Sequence, residues 1–261
     1  LGYEQIAVEQ RGRIAVIALN RPEKRNSLSE QMSRELITAL KDADRDDAVG
    51  AVVITGKGKA FCAGGDLGDF SQMISKTAPA IHREGKESTE LFKMGLHLSK
   101  PLIAGINGPA MGGGLGLAAM CHLAVASENA QFGTPEIKMG IFPFVVFPLL
   151  IRAVGPRKAL AMALTGETLD AGQALELGLV HKVAPAGSLE EEVMSLAGQV
   201  AEYSPLVLRL GLNAFNTVMD MEFNKAMDYL NTIRVIDFMS QDLKEGATAF
   251  LEKRRPLWKG M

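Results

Sequence analysis

The chain has 261 residues, 47% of them apolar and 22% charged, which is ordinary for a globular protein long enough to bury a sizeable core. Its 28 Lys and Arg against 30 Asp and Glu leave a formal charge of −2, which excludes a global basic field for nucleic acid or an acidic membrane, so an anionic ligand needs a local basic cluster. Cys62 and Cys121 give neither a disulfide framework nor a metal-ligand spacing, and the expectation is a reducing, cytoplasmic setting with no metal.

The opening Leu1-Gly2-Tyr3-Glu4 carries no basic region followed by an apolar run, and no stretch of about 18 apolar residues occurs, so neither a signal peptide nor a membrane span is expected. Ile6-Ala7-Val8 and Ile14 to Leu19 flank Arg11-Gly12 and predict a hairpin. Ser29 can cap a helix reaching about Asp44, with Met32, Leu36, Leu40 and Ala43 as its apolar stripe. A buried strand follows at Ala51 to Ile54, then a loop from Gly56 to Asp66. Residues 67–99 read as helical with a break near Pro79, and Pro101 stops them. Leu102 to Ile106 is the next strand, a glycine-rich stretch leads into a short apolar helix, and His122 to Ala126 is strand again. Beyond about residue 145 helices dominate: Asp170 caps one that Gly178 ends, Val180 to Val183 is briefly extended, and four more helices follow from Ser188 to Lys253. The order predicts an α/β core with a helical C-terminal part, divided at 1–200 and 201–261.

Two loops of the same design stand out. Phe61-Cys62-Ala63-Gly64-Gly65-Asp66 and Asn107-Gly108-Pro109-Ala110-Met111-Gly112-Gly113-Gly114 each lie between a strand and a helix. Glycine permits positive φ and close approach of a ligand, and a loop opening a helix presents free N–H groups to negative charge. Two such loops at neighbouring strand ends can aim one N–H each at a single oxygen, an arrangement that stabilises a developing oxyanion. Tight turns and close packing explain a single glycine-rich loop equally well. Glu136, after Pro135, alone reads as a residue starting a helix.

Three runs, Phe61 to Leu67, Pro101 to Gly114 and Ala130 to Glu136, together resemble the crotonase superfamily, the enoyl-coenzyme A hydratase and isomerase group. The resemblance continues through Leu19-Asn20-Arg21-Pro22, Asn26-Ser27-Leu28, Leu164-Thr165-Gly166, Ala171 to Ala174, Gly178-Leu179-Val180 and Glu245 to Arg254, in order along nearly the whole chain. It implies an α/β fold, a spiral of ββα units with a helical C-terminal region that builds a homotrimer, often paired into a hexamer. It also implies an acyl-CoA thioester substrate, coenzyme A entering as part of that substrate and no separate cofactor. By position, the N–H groups of Gly65 and Gly113 would hold the thioester oxygen and Glu136 would carry the proton. Substrate contacts are expected from Lys24, Arg25, Ala63, Asp66, Leu67, Gly112, Gly116, Pro143 and Phe144, and from Phe250 and Lys253 by way of a neighbouring subunit.

The sequence departs from the pattern at one decisive place. Hydratases of this family use a second glutamate, and its position holds Gly116. One carboxylate can still take a proton from one carbon and return it to another, so the resemblance favours a double-bond isomerase. Hydration through a substitute such as Asp66 or Asp69, decarboxylation of a malonyl-type thioester and acyl-CoA binding without turnover stay open. Pro143-Phe144-Val145-Val146-Phe147-Pro148 replaces a glycine-rich turn and is either acyl pocket or core. Lys57 and Lys59 are weaker phosphate candidates than Lys24 and Arg25. Cys62 reads as packing rather than nucleophile, and His82 as a remote candidate for the acyl pocket. A dinucleotide-binding reading, with Glu128 as the ribose acid, fits poorly because Leu117 stands where the last glycine of the fingerprint belongs.

Overall fold

The computed structural model describes residues 2–73 and 75–261. Its strands are β1 (Ile6–Arg11), β2 (Ile14–Leu19), β3 (Ala51–Gly56), β4 (Leu102–Ile106), β5 (Ala110–Met111), β6 (Leu123–Ser127), β7 (Gln131–Gly133), β8 (Thr168–Asp170) and β9 (Lys182–Ala184). The main sheet runs β1-β2-β3-β4-β6-β9; β1 and β2 form the expected antiparallel hairpin, and every later pairing in that sheet is parallel. A second, small sheet runs β5-β7-β8.

The helices are α1 (Glu30–Arg45), α2 (Leu67–Met73), α3 (Ala78–His97), α4 (Gly113–Ala119), α5 (Phe147–Val154), α6 (Pro156–Thr165), α7 (Ala171–Glu176), α8 (Leu189–Ala201), α9 (Pro205–Val218), α10 (Phe223–Phe238) and α11 (Gln241–Leu251). Alternation along the strands divides the core in two. Val52 and Ile54 point toward Leu36 and Leu40 of α1 and Leu91 of α3, while Ala51 and Val53 point toward Val193, Ala197 and Ala201 of α8. Ser29 caps α1 by accepting from the Met32 N–H at 3.1 Å, and the four residues of the expected stripe are buried. Asp170 and Gln173 close a reciprocal capping box on α7. Pro79 lies in the first turn of α3, so the break expected near it falls between α2 and α3.

Beyond α8 the packing changes character. Asp242, 1% exposed, accepts from the Ser204 hydroxyl and from the Lys259 and Gly260 N–H groups, which ties α9, α11 and the chain's last residues together. Helix α10, by contrast, buries none of its residues in this chain and leaves Phe223, Ile236 and Phe238 exposed. No helix among the described residues is long and apolar enough to cross a membrane.

Candidate active site

The two glycine loops are laced to each other and to the segment before α1. Met111 donates to the Cys62 carbonyl at 2.9 Å, Cys62 to Pro109 at 3.1 Å, Leu28 to Gly64 at 2.7 Å and Asp66 to Leu28 at 2.9 Å. Gly112 donates to Gly133 at 2.8 Å, which joins the second loop to β7 and so to the segment carrying Glu136. Among the described residues, neither the Gly65 nor the Gly113 N–H has a hydrogen-bond partner. Gly113 opens α4, where the first amides of a helix are free in any case. The two glycines adjoin, since a Cβ built on Gly113 would lie 3.7 Å from the Gly65 nitrogen. Two unsatisfied donors thus lie side by side.

Glu136 stands on the 3-10 turn Pro135–Met139 that follows β7. A Cβ on Gly112 would sit 2.4 Å from its Oε1, so the carboxylate rests against the second loop only because that residue has no side chain. Gly112 also has φ +50 and ψ −117, a backbone conformation that L side chains rarely adopt. Oε2 of Glu136 is buried without a hydrogen-bond partner, and burial pushes the carboxyl above the usual carboxylate range.

A cleft of about 1820 Å³ opens onto these groups. Lys24, Arg25, Ala63, Gly65, Asp66, Gly112, Gly113, Glu136, Pro143 and Phe144 all lie on its wall. Leu67 heads α2, and its side chain lies outside the described residues. Lys57, Lys59 and His82 are not on the wall, and neither are Phe250 and Lys253 within their own chain; Phe250 is 83% exposed. Asp66 belongs to the scaffold. Burial opposes its charge, but the Gly68 N–H at 2.9 Å, Arg21 at 3.0 Å and Ser27 at 3.1 Å outweigh that and hold its carboxyl below the usual range. Asp69 accepts from the Glu30 N–H at 3.2 Å. Both candidate substitutes for a second acid or base are therefore engaged in holding loops.

Gly116 requires a correction. It was expected to touch substrate, yet it is buried and off the cleft wall. A Cβ there would meet Val146 Cγ1 at 2.4 Å and Phe92 Cε1 at 2.8 Å. Those two apolar side chains fill the space beside it and face the cleft in its place. Within the segment 143–148, Val146 is core, while Phe144 is an exposed residue on the cleft wall, packed tilted on Phe142 at 5.0 Å. Phe92 carries no sequence signal as a site residue, being one apolar position on an amphipathic helix.

Cys62 is buried and its thiol is pushed up to about 12, which removes it as a nucleophile. Glu128, the acid of the dinucleotide reading, accepts from the Ala186 N–H at 2.7 Å. No cluster of metal-ligating side chains occurs among the described residues.

Comparison with known proteins agrees with this geometry. A sequence model described as enoyl-CoA hydratase/isomerase matches residues 9–261. The chain is 37% identical over 257 residues to the crotonyl-CoA hydratase of Syntrophomonas wolfei, covering 98% of each. It is 36% identical over 264 residues to the mitochondrial enoyl-CoA hydratase of Pongo abelii, covering 98% of this chain and 88% of that one. The solved structure of an enoyl-CoA hydratase from Bacillus anthracis superposes with a TM-score of 0.92 at 31% identity, covering 99% of this chain and 100% of that one. A match of that extent, in sequence and in three dimensions, places the fold among the crotonase-like α/β proteins, and the chain belongs to the enoyl-CoA hydratase/isomerase family.

Proposed function

We propose that this acyl-CoA enzyme holds the thioester oxygen of an enoyl-CoA between the Gly65 and Gly113 N–H groups and shifts its double bond with Glu136 alone. The base takes a proton from the carbon next to the thioester carbonyl of a 3-enoyl-CoA. The electron pair delocalises onto the oxygen, where preorganised donors count most in a site that excludes water. The same carboxyl then returns the proton to the far end of the conjugated system, giving the 2-enoyl-CoA, with every atom conserved. A carboxyl whose pKa is raised by burial is suited to both taking and giving a proton near neutral pH.

The observation carrying this reading is the packing at Gly116. Val146 and Phe92 leave no room for a second carboxylate, and Asp66 and Asp69 are committed elsewhere. Hydration is the second reading, favoured by the names of the relatives; it would need Glu136 to activate water through its unpartnered Oε2 and a further group to protonate the α-carbon. Lys24 and Arg25 at the cleft are read as phosphate contacts for the coenzyme A moiety. The exposed apolar face of α10 supports a homotrimer or hexamer, built by residues 201–261 around a catalytic 1–200, in which Phe250 and Lys253 reach a neighbour's ligand. No cofactor beyond the substrate's own coenzyme A is needed for this chemistry, and a cytoplasmic setting is retained.

The deciding experiment compares a 3-enoyl-CoA with the matched 2-enoyl-CoA on the purified enzyme, with Glu136→Gln as control. Conversion of the 3-enoyl to the 2-enoyl compound, lost in E136Q and without hydroxyacyl-CoA, supports isomerisation. Efficient hydration of the 2-enoyl compound overturns it.

A further inference from the structure

Among the described residues three buried side-chain polar atoms have no hydrogen-bond partner, Thr134 Oγ1, Glu136 Oε2 and Asp237 Oδ1, and two of the three stand two residues apart at the turn that carries Glu136. Buried polar groups are nearly always paired, so an orphan next to the reacting carboxyl calls for a cause. Thr134 is fully buried and holds the N-cap position of the 3-10 turn Pro135–Met139, yet its side chain makes no capping bond. A threonine there ordinarily accepts from the second or third N–H of the helix. Pro135 has no N–H, so the first donor of the turn is the N–H of Glu136, and the Glu136 carboxyl takes that donor itself. The carboxyl thus occupies the donor that the threonine hydroxyl would cap, and the hydroxyl is left without a partner.

We infer that Thr134 is a positioning residue whose hydroxyl takes over the Glu136 N–H when the carboxyl turns from that N–H to the substrate. The inference rests on the reading of Glu136 as proton carrier and holds for either reaction it serves. In the seat seen here Oε2 is sealed from the cleft and the carboxyl is turned onto its own backbone. Presenting it to a carbon next to a thioester held by Gly65 and Gly113 means rotating it away. That rotation strips a buried donor of its acceptor, which is costly unless another acceptor replaces it. The Thr134 hydroxyl is already inside and unpartnered, and a hydroxyl can accept after a turn about one side-chain bond, with no backbone movement. Each of the two side chains therefore caps the N–H that the other vacates.

Two substitutions test this. T134V keeps the shape and removes the hydroxyl, and T134S keeps the hydroxyl. Turnover of a 3-enoyl-CoA, calorimetric titration with butanoyl-CoA and thermal melts are run on wild type and both variants, with E136Q as control. T134V should lose about tenfold in kcat while its butanoyl-CoA affinity stays within about twofold. It should melt no lower than wild type, because the hydroxyl it loses makes no bond in the resting fold. T134S should keep kcat within about threefold of wild type. A T134V that keeps kcat, a T134S that loses as much as T134V, or a T134V whose Tm falls in step with kcat overturns the assignment, while the Glu136 reading stands as long as E136Q is inactive. If the wild type instead hydrates the matched 2-enoyl-CoA, the isomerase reading falls and the same comparison on hydration decides Thr134. If the wild type turns over neither compound, or E136Q matches it, both fall.

Discussion

Gly112→Ala separates the two demands the site places on one residue. The added Cβ would overlap Glu136 Oε1 at 2.4 Å, roughly 1 Å inside ordinary contact, and Oε1 is the far end of a flexible side chain that can swing away. The cost to folding is then mainly the backbone, held at φ +50 and ψ −117, or about 1–3 kcal/mol. For a chain of this size that lowers Tm by about 2–10 °C. The cost to chemistry is larger, because the carboxylate is displaced by about 1 Å from the substrate carbon, and such a displacement can remove about 100-fold in rate. Steady-state turnover, a thermal melt and a titration with butanoyl-CoA read the three effects. The expected pattern is a folded protein with near-normal thioester affinity and kcat reduced about 100-fold. A variant that melts as expected yet keeps kcat within about threefold would refute the claim that Gly112 sets the position of Glu136.

Because burial raises the carboxyl of Glu136, its base form is lost at a higher pH than an ordinary glutamate's, so kcat should fall on acidification at a higher pH than an unburied glutamate base would give. The same shift means the folded state holds this proton more tightly than the unfolded chain, so ionising Glu136 costs stability as pH rises, and E136Q should melt higher than wild type at pH 8; an unchanged or lower Tm contradicts the desolvation of this carboxyl. G116E alone should fold poorly against Val146 and Phe92, at a cost of at least about 1–3 kcal/mol, whereas G116E/V146G should recover Tm and gain hydration of a 2-enoyl-CoA; equal Tm in both removes the packing argument. His122 accepts from the Leu102 N–H at Nδ1 and donates from Nε2 to the Gly95 carbonyl, and burial pushes it below the usual histidine range. The folded state therefore keeps it neutral while the unfolded chain takes up a proton below about pH 6.5, so its contribution is complete above that value and declines as pH falls. Urea midpoints at pH 7.5 and 5 should differ by less in H122N than in wild type.

The elements most legible in the sequence were those where one physical signal decides the structure. The hairpin at Gly12, the Ser29 cap with its four-residue stripe and the Asp170 cap are local, and each formed where its residues predicted. Strands β5, β7 and β8 escaped because two or three residues cannot display alternation, although together they attach the second glycine loop to Glu136. The same limit hid the meaning of Gly116. As a sequence it is an absence, a carboxylate that is not there, and an absence admits replacement by any nearby acid. Only the contacts of Val146 and Phe92 turn it into a constraint, because the vacated volume is already occupied by carbon. Nor can the nearby aspartates make good the loss: Asp66 is held by Arg21, Ser27 and Gly68, and freeing it would break an ion pair with side chains less than a fifth exposed. A buried ion pair that loses one partner leaves an uncompensated charge, which is far costlier than the pair itself. Placing a second carboxylate at position 116 therefore requires changing residues that face each other across the fold, at least one on α4 and one in the segment before α5.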